Sequence, residues 1–185
     1  MPDTRTHHDD ELLRLSSTGA LLFVRIRQRF THREALALYS AQEYLRATVG
    51  RHALVMLVGE TDIELSERTR TMITRTAAEF SSWITCIAHV VEVRGFKGAA
   101  IRCMMAGMRS ARRPPYPVRE FSTTRAAAMW MAPLLTKEAL PLPFAASPEA
   151  LQEWISCVRD PGCPAEDAPA PRRFAASRPI GGAEG

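Results

Sequence analysis

The sequence lacks an apolar run of the length that a membrane-spanning helix needs. Hydrophobic residues make up 46% of its 185 residues and charged residues 24%, values that are ordinary for a globular domain. About 18 consecutive apolar residues would indicate a membrane span. The first ten residues are polar and have no apolar segment of the kind found in secretory signals. We therefore expect a soluble cytoplasmic protein.

Residue patterns that bind metals or carry out catalysis are also scarce. The four cysteines form no CxxC pair and do not pair with the five histidines, so no zinc site is predicted. Asp62, Glu64 and Glu67 follow an apolar segment, at a position where α/β folds often bind ligands. They have neither a nucleophile nor a paired base beside them. We expect no enzyme activity and no cofactor.

Proline and charge divide the chain near residue 140. Eight of the 13 prolines lie after this point, and residues 141–185 hold four arginines and six acidic residues, a net charge of −2, against +6 for residues 1–140. This composition predicts a flexible N-terminus over 1–10, a folded domain over 11–137 and a largely disordered tail over 138–185. Within that tail, Ser147-Pro148-Glu149 is typical of a helix start, so we expect a short helix near 148–158.

Hydrophobic periodicity predicts a mixed α/β fold for the folded domain. Two strands flank a turn at 17–19, and the apolar runs 52–59 and 85–93 are typical of parallel strands buried on both faces. Helices are predicted to begin after caps at Thr31, at Ser66 and at Thr123 or Thr124. The expected order is β-β-α-β-α-β-α-β-α, which indicates a mixed sheet with helices packed on it.

The end of this pattern carries a resemblance to a known family. Residues 112–121 read Arg-Arg-Pro-Pro-Tyr-Pro-Val-Arg-Glu-Phe, and a segment rich in Ala follows up to Trp130. Over about residues 10–136 the chain resembles the bacterial SpoIIAA-like STAS family, which is related in fold to CRAL-TRIO lipid-transfer domains. The resemblance implies a STAS-like fold and a non-catalytic role in regulation or protein–protein interaction. The alternative that it implies is the binding of a lipid or another small ligand.

The same resemblance draws attention to Ser66. In the anti-sigma-factor-antagonist branch of that family, a phosphorylatable serine follows an aspartate at the start of the helix after the central strand. Ser66 stands at the corresponding place, whereas Leu65 stands where the aspartate is expected. Ser66 is thus a candidate phosphorylation site, and the alternative is that it only caps the helix.

The basic stretch over 94–119 is the candidate recognition surface. It has seven cationic residues and no Asp or Glu, so it produces a positive local potential. We expect its central members to bind a protein partner or a small anionic ligand, namely Lys97, Arg102, Arg109, Arg112 and Arg113. The alternative is a solvated helix face. Nucleic acid is not expected because aromatic residues do not alternate with the basic ones, and a homodimer is left open.

Overall fold

The computed structural model describes residues 3–59, 66–93, 95–112 and 114–159. Within these ranges six strands form one sheet. The strands are β1 (Arg5–Asp9), β2 (Leu13–Thr18), β3 (Leu21–Ile26), β4 (His52–Val58), β5 (Ile84–Val91) and β6 (Val118–Phe121). The helices are α1 (His32–Thr48), α2 (Glu67–Glu79), α3 (Gly95–Arg112), α4 (Thr124–Lys137) and α5 (Pro148–Arg159). None of the described helices combines the length and the apolar character that crossing a membrane requires.

The strands lie in the sheet in their order along the chain. β1, β2 and β3 pair antiparallel, and β3, β4, β5 and β6 pair parallel. Crossovers between neighbouring parallel strands are almost always right-handed, so three consecutive crossovers in one direction place their helices on one face. Accordingly α1, α2 and α3 cover one face, and α4 and α5 cover the other. The predicted mixed sheet with helices packed on it is confirmed.

The central strands are buried on both faces, as their apolar runs predict. In β3, Leu22 and Val24 face the core under α1, while Leu21 and Phe23 face the core under α4 and α5. All four side chains have no exposed surface. Because successive strand side chains point to opposite faces, a strand between two helical layers needs apolar residues at every position.

The predicted caps also form. Thr31 and Glu34 make a capping box in which the Glu34 carboxylate accepts the Thr31 N–H at 2.8 Å. Thr123, rather than Thr124, caps α4, its hydroxyl oxygen accepting the Ala126 N–H at 3.2 Å. These side chains satisfy N–H groups that have no partner within the first turn of a helix.

The N-terminus differs from the flexible segment that was predicted over 1–10. Arg5–Asp9 form β1, which pairs with β2, and the Arg5 guanidinium lies 4.1 Å from the centroid of the Tyr44 ring. Asp10 holds the following turn by accepting the N–H groups of Leu12 and Leu13 at 2.8 and 2.9 Å. These two backbone hydrogen bonds lower the pKa of Asp10 to about 2. β1 is polar and is held in the sheet by its pairing with β2. Its sequence therefore has no alternation of apolar and polar residues from which a strand could be predicted.

The predicted tail also differs from the structure before residue 160. The predicted helix is confirmed as α5, but its Leu151, Trp154, Ile155 and Val158 are buried in the core. The indole N–H of Trp154 donates to the Thr18 hydroxyl oxygen at 3.0 Å. Residues 138–159 therefore belong to the domain, which extends past the predicted boundary at 137. Residues 160–185 of the predicted disordered tail lie outside the described residues.

Two backbone contacts explain why this proline-rich segment is part of the body. The Ala20 N–H donates to the Pro141 carbonyl oxygen at 3.0 Å, beside Gly19, whose φ is +52°. A Cβ at Gly19 would lie 2.3 Å from that same oxygen, so only glycine permits the approach. At the other end, the Arg25 guanidinium donates to the Arg159 carbonyl oxygen at 2.7 Å and caps α5.

Candidate recognition surface

The start of α3 lies at the carboxyl edge of the sheet, the edge at which β3, β4 and β5 end. Since each of these strands is followed by a helix that returns across one face, α1, α2 and α3 all begin at this edge. A helix N-terminus carries the equivalent of about half a positive charge. The topology therefore makes this edge favourable for negative charge before any side chain is considered.

Two glycines set the position of α3. Gly95 begins the helix with φ at +70°, a conformation that favours glycine. At Gly98 a Cβ would lie 1.9 Å from the carbonyl oxygen of Val93. The absence of a side chain at Gly98 thus allows the first turn of α3 to lie directly against the end of the β5 segment. Phe96 and Lys97, between the two glycines, point away from this contact and are exposed.

The exposed side of α3 carries one large apolar group. Gly98, Ile101 and Met105 form the stripe that faces the core. The opposite side, here called the α3 surface, consists of the exposed residues Phe96, Lys97, Ala99, Ala100 and Cys103. Phe96 is 91% exposed, and the two alanines one turn further along leave its ring projecting above the helix. Aromatic side chains are enriched in protein–protein interfaces relative to the rest of the surface.

The structure brings together only part of the predicted basic surface. Lys97 is exposed and Arg102 half-buried, both within the first two turns of α3. Arg109 and Arg112 belong to the same helix, but their side chains lie outside the described part of the chain. Arg113 lies outside it altogether. The structure places Lys97, a predicted site residue, beside Phe96. Phe96 itself was not predicted from the sequence as a site residue.

Ser66 lies at the same edge and caps α2. Its hydroxyl oxygen accepts the Thr69 N–H at 3.2 Å and lies 2.8 Å from the Thr69 hydroxyl. The structural interpretation of Ser66 as a cap is confirmed. Phosphorylation at this exposed serine stays a prediction. Of the nearby carboxylates, Asp62 and Glu64 lie outside the described residues.

An open groove separates α1 from α2 at this edge. It has a volume of about 420 Å³, and its charged lining includes Glu67, Arg68 and Arg75 beside His32. Arg75 also lies 3.6 Å from Glu79 in an exposed ion pair, and pairs of this kind are weak. The lining of the groove thus contains two arginines and one carboxylate.

Comparison with known proteins finds a similarity of fold. No protein-family model matches the chain, and no curated protein matches it. A solved structure of an uncharacterised protein of the DUF3478 family from Shewanella loihica PV-4, described as having a SpoIIAA-like fold, aligns with a TM-score of 0.47 and 14% identity. The alignment covers 66% of this chain and 98% of that one. The chain is similar to a protein with a SpoIIAA-like fold. A fold similarity of this degree gives no information about function.

Proposed function

We propose that the chain is a non-catalytic cytoplasmic interaction module that binds an acidic protein partner through the α3 surface. The observation that carries the proposal is Phe96, a phenylalanine 91% exposed at an edge where three helices begin. Gly98 allows the first turn of α3 to lie against Val93, and Gly95 begins the helix with a positive φ. The ring is therefore presented by a helical turn that packs on the domain, and a preformed anchor of this kind lowers the entropy cost of binding.

The charge around Phe96 supports an acidic partner. Lys97 is its neighbour, Arg102 lies on the next turns of the same helix, and no acidic residue occurs between Glu92 and Glu120. Positive residues around an apolar anchor steer a negatively charged partner and disfavour a basic one. An interface centred on one aromatic side chain with a charged rim is a common arrangement in protein complexes.

A membrane surface is supported less well than a protein. Burial of one phenylalanine side chain contributes roughly 1.5–3 kcal/mol, whereas even one myristoyl chain gives only marginal membrane binding. The other apolar groups on the α3 surface are two alanines and a cysteine, which add little area. A protein pocket that closes around the ring removes water from all of it, so the same residue contributes more there.

Photo-crosslinking from position 96 tests the proposal. Benzoylphenylalanine in place of Phe96 is expected to capture one acidic protein in the cells that make the chain. The same probe in place of Met129, which is 58% exposed on α4, serves as the control and is expected not to capture it. The captured protein is then purified, and its affinity for the unmodified chain is measured by calorimetry.

Substitutions then decide whether α3 makes the contact. Phe96→Ala and Lys97→Glu are each expected to weaken binding of the purified partner roughly tenfold or more, the effect of an interface hot spot. The matched controls Met129→Ala and Arg125→Glu are expected to change it less than twofold. Equal affinities for all four variants would contradict the proposal. So would capture of a second copy of this chain, or flotation with phosphatidylserine vesicles that Lys97→Glu abolishes.

A further inference from the structure

The last described helix ends at the same edge of the sheet as the α3 surface. α5 ends at Arg159, whose carbonyl oxygen accepts a hydrogen bond from the Arg25 guanidinium, near the end of β3, at 2.7 Å. The Arg159 guanidinium donates to the Glu92 carboxylate, directly after β5, at 2.7 Å. Glu92 precedes Phe96 by four residues. The chain beyond Arg159 therefore leaves the domain close to the start of α3.

The eight residues that follow Arg159 are acidic and contain two prolines. Residues 160–167 read Asp-Pro-Gly-Cys-Pro-Ala-Glu-Asp, with three carboxylates and no Lys or Arg. The α3 surface has the opposite charge, since Lys97 is exposed and Arg102 is half-buried beside it. Peptides with two prolines separated by two residues dock in grooves lined by aromatic side chains. The segment thus complements the charge of the α3 surface and brings apolar rings to its phenylalanine.

The same segment is long enough to reach Phe96. Four residues, the separation of Glu92 from Phe96, span at most about 14 Å, and eight residues span up to about 28 Å. Because the segment belongs to the same chain, its effective concentration at the surface is about millimolar. A contact with a Kd of about 1 mM would therefore cover the surface in about half of the molecules.

We propose that residues 160–167 form an acidic segment that covers the α3 surface and competes with the acidic partner. Its carboxylates lie against Lys97 and Arg102, and its prolines lie against Phe96. Segment and partner use the same anchor and the same charges, so they exclude each other. The inference rests on the proposed function and adds to it a regulation within the chain. The affinity for the partner is lowered in proportion to the fraction of molecules in which the surface is covered.

Photo-crosslinking within the purified full chain tests this contact without any partner. Benzoylphenylalanine in place of Phe96 is expected to form a crosslink to residues 160–167 in a product with the mass of one chain. The same probe in place of Lys137, which is exposed at the opposite edge of the sheet, is expected not to form it. The inference would be overturned by a product that contains only linked pairs of chains, by a crosslink to residues 168–185 alone, or by no crosslink at all.

Two variants of the full chain with equal net charge test the competition. The segment variant combines Asp160→Asn, Glu166→Gln and Asp167→Asn. The control variant removes three charges elsewhere by Glu11→Gln, Glu153→Gln and Glu184→Gln. The segment variant is expected to lose most of the crosslink and to bind the purified partner about two- to fivefold more tightly, the gain from uncovering a surface that is covered in about half to four fifths of the molecules. The control variant is expected to retain the crosslink and to leave the affinity almost unchanged.

The result separates this inference from the proposed function. A partner whose binding depends on Phe96, but whose affinity is the same for the segment variant and the unmodified chain, would refute the segment and leave the proposed function intact. An equal gain in both variants would attribute the effect to net charge and would also refute it. Failure of the proposed function would instead appear as the absence of a partner that depends on Phe96, whether or not the crosslink within the chain forms.

Discussion

At the scale of single residues, Gly98 is subject to two opposing effects. Helix propensity alone favours Gly98→Ala by about 1 kcal/mol, because glycine loses more backbone freedom than alanine. Against this, the added Cβ would lie 1.9 Å from the Val93 carbonyl oxygen and 2.8 Å from its carbon. Both are backbone atoms, so no side chain can turn aside, and overpacking of this kind costs typically 1–3 kcal/mol. We expect the clash to dominate and Gly98→Ala to lower the free energy of unfolding.

Urea denaturation measures this difference, and Ala100→Gly provides the control. Ala100 is exposed on the same helix, so its substitution reports helix propensity without a steric contribution, and a loss of up to about 1 kcal/mol is expected. If Gly98→Ala stabilised the protein instead, α3 would not be held against Val93, and the fixed presentation of Phe96 would lose its basis.

The residues of the candidate recognition surface and its edge differ in how clearly the sequence indicates them. Lys97 is apparent from the run of basic residues without acids, and Ser66 from its place before a helix. Phe96 has a weaker signal, since it lies between two glycines and out of phase with the buried stripe that includes Ile101.

At the scale of elements, α5 is the clearest departure from what composition indicates. Its four buried residues are Leu151, Trp154, Ile155 and Val158. Each buried large apolar side chain contributes about 1.5–3 kcal/mol, so together they supply an amount comparable with the whole stability of a typical domain, about 5–15 kcal/mol. We expect a chain ending at residue 137 to lose cooperative thermal unfolding and to bind a dye for exposed apolar surface.

Two further proteins serve as controls for the truncation at residue 137. A chain ending at residue 159 retains α5 and is expected to unfold cooperatively, as the full chain does. Trp154→Ala in the full chain is expected to cost about 3–5 kcal/mol through the cavity that it leaves, measured by urea denaturation. A cooperative transition at an unchanged temperature for the chain ending at residue 137 would show that α5 is not part of the core.

Sequence patterns predict those strands and helices in which buried apolar residues recur at regular positions. β4 and β5 appear as apolar runs because helices cover both of their faces, and α1 appears through its cap and its periodic apolar side. β1 does not appear, because Arg5–Asp9 is polar and pairs through the backbone. The prolines before α5 indicate a tail by composition, although Pro141 in fact accepts a hydrogen bond from the turn between β2 and β3.

At the scale of the whole molecule, the order of strands predicts where stability is greatest. β4 lies between two parallel neighbours and two helical layers, so its amides exchange with solvent only when most of the domain opens. β1 and β6 are the edges of the described sheet, and α3 has a single narrow stripe against the core. We expect hydrogen exchange measured by NMR to be slowest in β4 and its neighbours, faster in β1 and β6, and faster in α3 than in α1.

The same hydrogen-exchange measurement also tests where a partner binds. A partner that covers the α3 surface is expected to slow exchange in α3 while leaving β4 unchanged, because β4 opens only with the whole domain. Protection that appeared uniformly, including in α5, would indicate global stabilisation and would contradict binding at the α3 surface alone. The difference in protection between α3 and β4 thus assigns the bound partner to the carboxyl edge of the sheet.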